Sequence, residues 1–119
     1  MILNESFYKI HEITREDNSA TVRVELLPSH PIYAGHFPGQ PVVPGVCTLT
    51  IIKECIEKVL GRSTSYASIK ECKYMSALIP EGNLHITISI TIDEDKNIKA
   101  VVNRDSTHET VLKLKAVIK

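Results

Sequence analysis

No surplus of charge of either sign marks this chain of 119 residues: 14 lysines and arginines balance 14 aspartates and glutamates, a formal net charge of zero. Without a basic excess, or basic residues interleaved with aromatics, no nucleic-acid partner is expected. No apolar run approaches the ~20 residues needed to span a bilayer, so no membrane segment is expected. The N-terminal MILNESFYKI carries Glu5 and has neither a basic start nor an apolar core. It does not read as a secretory signal, and a cytoplasmic location is expected. Cysteine is also scarce. Cys47, Cys55 and Cys72 are odd in number and form no CxxC pair. On one helix, Cys47 and Cys55 would lie roughly 12 Å apart, too far to bridge. Buried, reduced thiols acting as small hydrophobes are the expectation. The five histidines are scattered in sequence without ligand spacing, so no metal site is expected. Repeats, linkers and low-complexity segments are absent.

What is present is ordinary for a globular domain: 43% hydrophobic and 24% charged residues. The length predicts one domain over 1–119, with a real core but small enough that a subunit interface would help. Residues 7–12 and 20–27 read as strands, the latter with Val22, Val24 and Leu26 on one face. From Val46 to Leu60 the period changes to that of a helix: Leu49, Ile52, Ile56 and Val59 recur on one face, widened by Ile51 and Cys55. Thr50, Lys53, Glu54, Glu57 and Lys58 are expected to form one polar stripe, and Gly61 to stop the helix. Strands are predicted again over 65–75, 83–93, 98–104 and 109–118, with turns at Pro80-Glu81-Gly82 and Asp93–Asn97. The alternation of Leu84, Ile86, Ile88, Ile90 and Ile92 with polar residues is that of a half-buried antiparallel strand. His11, His85 and His108 fall on strand faces or turns.

The segment 28–45 is long for a small domain and is stiffened by proline. From His30 to Glu54 the chain holds four of its six prolines and three of its five glycines, around His36. Each proline fixes φ and pushes the residue before it toward extended geometry. A rigid loop holding a histidine at the mouth of a helix points to a site. No Ser, Thr, Asp or Asn immediately precedes Gly45-Val46, so the first helical N–H groups lack a side-chain cap and can bind a ligand oxygen. The helix dipole favours negative charge there. A carbonyl polarised at that point has an acidified α-carbon, because its enolate is stabilised by the same donors. His36 titrates near neutrality and can take that proton. Cys47, eleven residues after His36, is the one thiol that invites comparison with a nucleophile.

The run from His36 to Val46 also resembles the H-F-P-G-x-P-x-x-P-G-V hallmark of the hotdog-fold β-hydroxyacyl-[acyl carrier protein] dehydratases, without a gap. Residues 69–82 resemble that family's third strand and following turn. The resemblance implies an α+β hotdog fold, a long central helix wrapped by a curved antiparallel sheet, assembled as a homodimer or a larger array of dimers. It implies dehydration of a (3R)-hydroxyacyl thioester to the trans-2-enoyl thioester, in fatty-acid or related acyl-chain biosynthesis. The substrate would ride on the phosphopantetheine of acyl carrier protein, or on coenzyme A, with no metal or redox cofactor. His36 would be the catalytic histidine and the Gly45 N–H the oxyanion donor, with Val46 and Phe37 beside the substrate. The family's helix carboxylate, four residues beyond the valine and usually supplied by the partner subunit, is here Thr50. Glu54, one turn later on the same face, occupies a position where family members often carry glutamine. It could supply the missing carboxylate, or Thr50 could orient a water while His36 both accepts and returns the proton. Two other readings follow from Thr50: an acyl thioesterase relying on Glu54, or a non-catalytic hotdog partner subunit.

Overall fold

The computed structural model describes residues 8–26, 45–76 and 84–119. They form six strands and one helix: β1 (Tyr8–Glu16), β2 (Ser19–Leu26), α1 (Gly45–Leu60), β3 (Tyr66–Tyr74), β4 (His85–Ile92), β5 (Asn97–Arg104) and β6 (Thr110–Ile118). All neighbouring strands run antiparallel in one sheet of order β1-β2-β4-β5-β6-β3. The helix sits between β2 and β3 in sequence, so the chain passes from one side of the sheet to the far edge through α1.

Register explains the core. Because side chains alternate across a strand, cross-strand partners share a face. Val22 pairs with Ile88, Ile88 with Val102, and Val102 with Leu112, giving one apolar row across four strands. Ala20, Ile90, Ala100 and Leu114 form the next. All of these residues are buried, and all but Ala20 share one cluster with Cys47, Ile51, Ile52, Cys55 and Ile56 of the helix. The expected alternation on β2 and β4 is thus realised, with Leu84 and Ile92 only half-buried at the ends of the β4 row. The hairpin joining β1 and β2 turns at Asp17, whose φ is 52°. Gly61 ends α1 with φ 72° and donates its N–H to the Glu57 carbonyl at 2.8 Å, a left-handed stop that glycine adopts without steric cost.

Three expectations are corrected. The helix is not long: its 16 residues span ~24 Å, no more than the strands it lies on. One face of it is buried in the shared cluster, while Lys58 on the other is exposed. The polar stripe is also broken, because Glu54 is buried at 8% exposure. Finally, β1 continues past residue 12 to Glu16, held by pairing with β2 rather than by its own apolar pattern. The predicted loop over 28–45 lies outside the described residues up to Gly45, and the turn at Pro80-Glu81-Gly82 lies outside them altogether.

Candidate active site

The helix begins at Gly45, one residue before the predicted Val46, and no acidic residue stands in its first turn. A carboxylate there would compete with a developing oxyanion for the same backbone donors, so the start of α1 keeps its positive end. His36 and Phe37 lie outside the described residues, and of Val46 the backbone alone is described, within α1.

Further along the helix, Thr50 is half-buried and Glu54 follows one turn later. Burying a carboxylate is costly without hydrogen bonds. The Tyr8 hydroxyl supplies one, donating to Glu54 Oε1 at 2.8 Å, and Tyr8 itself is fully buried. Burial, and then the bond to Glu54, hold the Tyr8 phenol well above its usual range, so it stays protonated as a donor. Neighbouring charges are satisfied elsewhere: Lys53 pairs with Glu57 at 3.4 Å, and Glu57 also accepts the Thr64 N–H at 3.0 Å. Glu54, buried and bonded to Tyr8, is therefore not a solvated helix carboxylate. With Tyr8, Lys53, Glu57, Lys58 and Arg62 it lines an open cavity of about 770 Å³.

A carboxylate oriented by a buried phenol beside a cavity can give or take a proton at a fixed position. Along one helix, Glu54 lies roughly 14 Å from Gly45 and Thr50 roughly 8 Å. The described part of one chain therefore brings Thr50 and Glu54 to one helix but does not bring Glu54 to the helix start. Tyr8 escaped the sequence reading, because its partner is 46 positions away and no local pattern joins them.

The cysteines behave as expected of small buried hydrophobes. Cys47 and Cys55 are buried and Cys72 is half-buried, all three as free thiols. Burial, with the Glu54 charge adding to it, pushes the Cys55 thiol up to about 12, and burial alone raises that of Cys47. Neither is an activated nucleophile. The expectation of scattered histidines needs correction: His11 and His85, on β1 and β4, meet around Glu25 of β2.

Comparison with known proteins places this geometry among relatives. Residues 12–113 match the ApeI-like family, described as ApeI dehydratase. A 3-hydroxyacyl-[acyl-carrier-protein] dehydratase FabZ of Syntrophomonas wolfei is 31% identical over 70 residues, which cover 53% of this chain and 49% of that protein. The chain spans about half the length of the first curated relatives it matches. Among solved structures, the dehydratase heterocomplex ApeI:P of Xenorhabdus doucetiae contains a chain with a TM-score of 0.79 at 22% identity, covering 92% of this chain and 95% of that one. Thioesterase superfamily member 2 of Mus musculus superposes with a TM-score of 0.64 at 14% identity, covering 95% of this chain and 80% of that one. At these identities the structures speak for a shared hotdog fold.

Proposed function

Because the chain belongs to the ApeI-like dehydratase family, we propose that it removes water from a 3-hydroxyacyl thioester to give the trans-2-enoyl thioester. The observation that carries this reading is the family match across 12–113, together with the helix start at Gly45, nine residues after His36 in the sequence. His36 takes the α-proton. The Gly45 N–H steadies the enolate oxygen, helped by the positive end of α1. Phe37 and Val46 lie beside the acyl chain. The hydroxyl must leave as water and needs a proton. Glu54 is the better candidate for that step than Thr50, since a threonine hydroxyl is no acid of matched pKa and Glu54 is held in one orientation by Tyr8.

The acyl group is carried on acyl carrier protein, as the name of the Syntrophomonas wolfei relative indicates for that enzyme, or on coenzyme A. No metal or redox group takes part in this scheme. The reaction belongs to fatty-acid or related acyl-chain biosynthesis in the cytoplasm. The working unit is a homodimer, so that a helix carboxylate from one subunit serves the histidine of the other.

Two readings compete on specific observations. The thioesterase neighbour and the positioned Glu54 favour hydrolysis. Thr50, and the heteromeric assembly of the Xenorhabdus doucetiae relative, favour a non-catalytic partner subunit. One experiment separates them: the purified protein is incubated with 3-hydroxyacyl and plain acyl carrier proteins and the products are resolved by mass. Enoyl product supports the dehydratase, free acid supports the thioesterase, and neither product sinks both in favour of the partner subunit.

A further inference from the structure

On the face of the sheet turned away from the helix, three strands bring together two imidazoles and a carboxylate. Glu25 on β2 lies directly opposite His85 on β4 in the antiparallel register. His11 comes from β1 at a register shift between Ile10 and Glu12, where it is the extra residue. Such a bulge re-aims a side chain. Ile10 faces the core opposite Val24, whereas Glu12 pairs with Arg23, and His11 swings out toward Glu25. The result is His11 Nε2 at 2.8 Å and His85 Nε2 at 4.0 Å from Glu25 Oε1, with the two rings 5.6 Å apart. All three ligand atoms lie within 4.8 Å of one another, and this is the one such group among the described residues.

We propose that His11, Glu25 and His85 bind a zinc ion, tying the edge strand β1 to β2 and β4. In a tetrahedral site with bonds of ~2.0–2.2 Å, ligand atoms stand roughly 3.4 Å apart. The 2.8 and 4.0 Å separations bracket that value, so small side-chain rotations suffice. Two imidazoles with one carboxylate suit zinc and its transition-metal neighbours; magnesium and calcium prefer all-oxygen shells. The ion takes the place of the proton now shared between His11 and Glu25. Side-chain exposures of 49% for His11 and 36% for His85 leave room for water as the fourth ligand. Lys9, opposite Glu25 in the β1–β2 register, adds a positive charge that acts on that carboxylate. The backbone positions are set by strand pairing, which holds a site more firmly than a loop does. The site is independent of the dehydratase chemistry.

The test is calorimetric titration of the EDTA-treated full-length chain with zinc chloride, alongside the visible spectrum of the cobalt(II) form. One ion per chain is expected, and the thermal midpoint should rise with zinc concentration. His11→Ala, His85→Ala and Glu25→Gln should each weaken binding at least tenfold and lose the cobalt spectrum, while His108→Ala, in a turn outside the cluster, leaves both unchanged. Circular dichroism of each variant, taken without metal, identifies a variant that has lost its fold; for such a variant the conservative His11→Gln or His85→Gln carries the comparison. No zinc uptake by the parent, equal uptake after loss of either histidine, or magnesium competing on equal terms would each overturn the assignment.

Discussion

The Tyr8 hydroxyl and the Glu54 carboxylate meet at 2.8 Å, tying the first residue of β1 to the third turn of α1. Both groups are buried, so the contact fixes where the helix carboxylate points as well as how the edge of the sheet meets the helix. Removing the donor leaves a buried acceptor one hydrogen bond short, which costs about 1–3 kcal/mol. Tyr8→Phe should therefore lower unfolding free energy by that amount in urea titrations. Glu54→Gln should cost less, because its amide oxygen can still accept from Tyr8. Equal stability of Tyr8→Phe and the parent would show that the bond is not maintained in solution.

A second consequence concerns alkaline pH. Burial raises the Cys55 thiol from 9.0 to about 12, and it lifts the Tyr8 and Tyr66 phenols above their ordinary 10.0. The folded state thus holds protons that the unfolded chain releases first. Their contribution is complete below about pH 8, declines once the unfolded thiol ionises near 9, and is lost as pH rises through the folded values. Urea midpoints should fall between pH 8 and pH 10.5, at a slope near 1.4 kcal/mol per pH unit for each group fully engaged. Cys55→Val should flatten the lower part of that slope. A midpoint that stays level to pH 10.5 would count against it.

How far the sequence announces this molecule can be judged from particular residues. The alternation in β4 and β2 and the helical period from Leu49 to Val59 are legible because they reflect a single buried face, and the structure places Ile86, Ile88, Ile90, Val22 and Val24 in the core accordingly. Gly61 is legible for a similar local reason, its freedom at positive φ. Glu54 is not. Counting along the helix sets it beside Lys53 and Lys58, and the arrival of Tyr8 from a distant strand helps to make its burial tolerable. The second half of β1 and the meeting of His11 with His85 also depend on pairing partners that no local window contains. The loop motif points to chemistry at His36, which lies outside the described residues.

Gly61 offers a test free of packing effects. Its φ is 72°, and a Cβ built there meets nothing within 4 Å. Gly61→Ala should cost about 1 kcal/mol from backbone strain alone. Gly61→Asn should cost less, since asparagine tolerates the left-handed region better. Urea denaturation of the three proteins measures the difference; no loss in Gly61→Ala would mean that the helix can end another way.

Assembly can be read from the edge of the sheet. Among the described residues β3 pairs on one side only, with β6, and it leaves Ile69 exposed at 45%; Tyr74 at its end and Met75 just after it are each exposed at 55%. An apolar edge of this kind is covered in most proteins. Sedimentation at micromolar concentration should show a dimer, and Ile69→Lys with Met75→Lys should shift it toward monomer. A folded 13.3 kDa monomer for the parent would sink the dimeric reading.

The sharpest prediction bears on which residue protonates the departing hydroxyl. If Glu54 does so, Glu54→Gln should reduce enoyl formation by ~10²–10⁴, the usual worth of a positioned acid or base, while the Tyr8 bond and the fold survive. His36→Ala should fall by a similar factor through loss of the base. Tyr8→Phe should lower kcat by less, since it disturbs orientation and leaves the acid itself in place. Thr50→Glu then adds little, because a second carboxylate one turn before Glu54 on the same helix face repels it. The alternative has the opposite signature. Should the departure from the family's pattern at Thr50 have weakened the acid step, Thr50→Glu raises the rate and Glu54→Gln leaves it near the parental value. Initial rates of enoyl thioester formation for the parent and the four variants distinguish the two. A parental rate untouched by both Glu54→Gln and Thr50→Glu would remove both side chains from the step and leave His36 and water to carry the elimination.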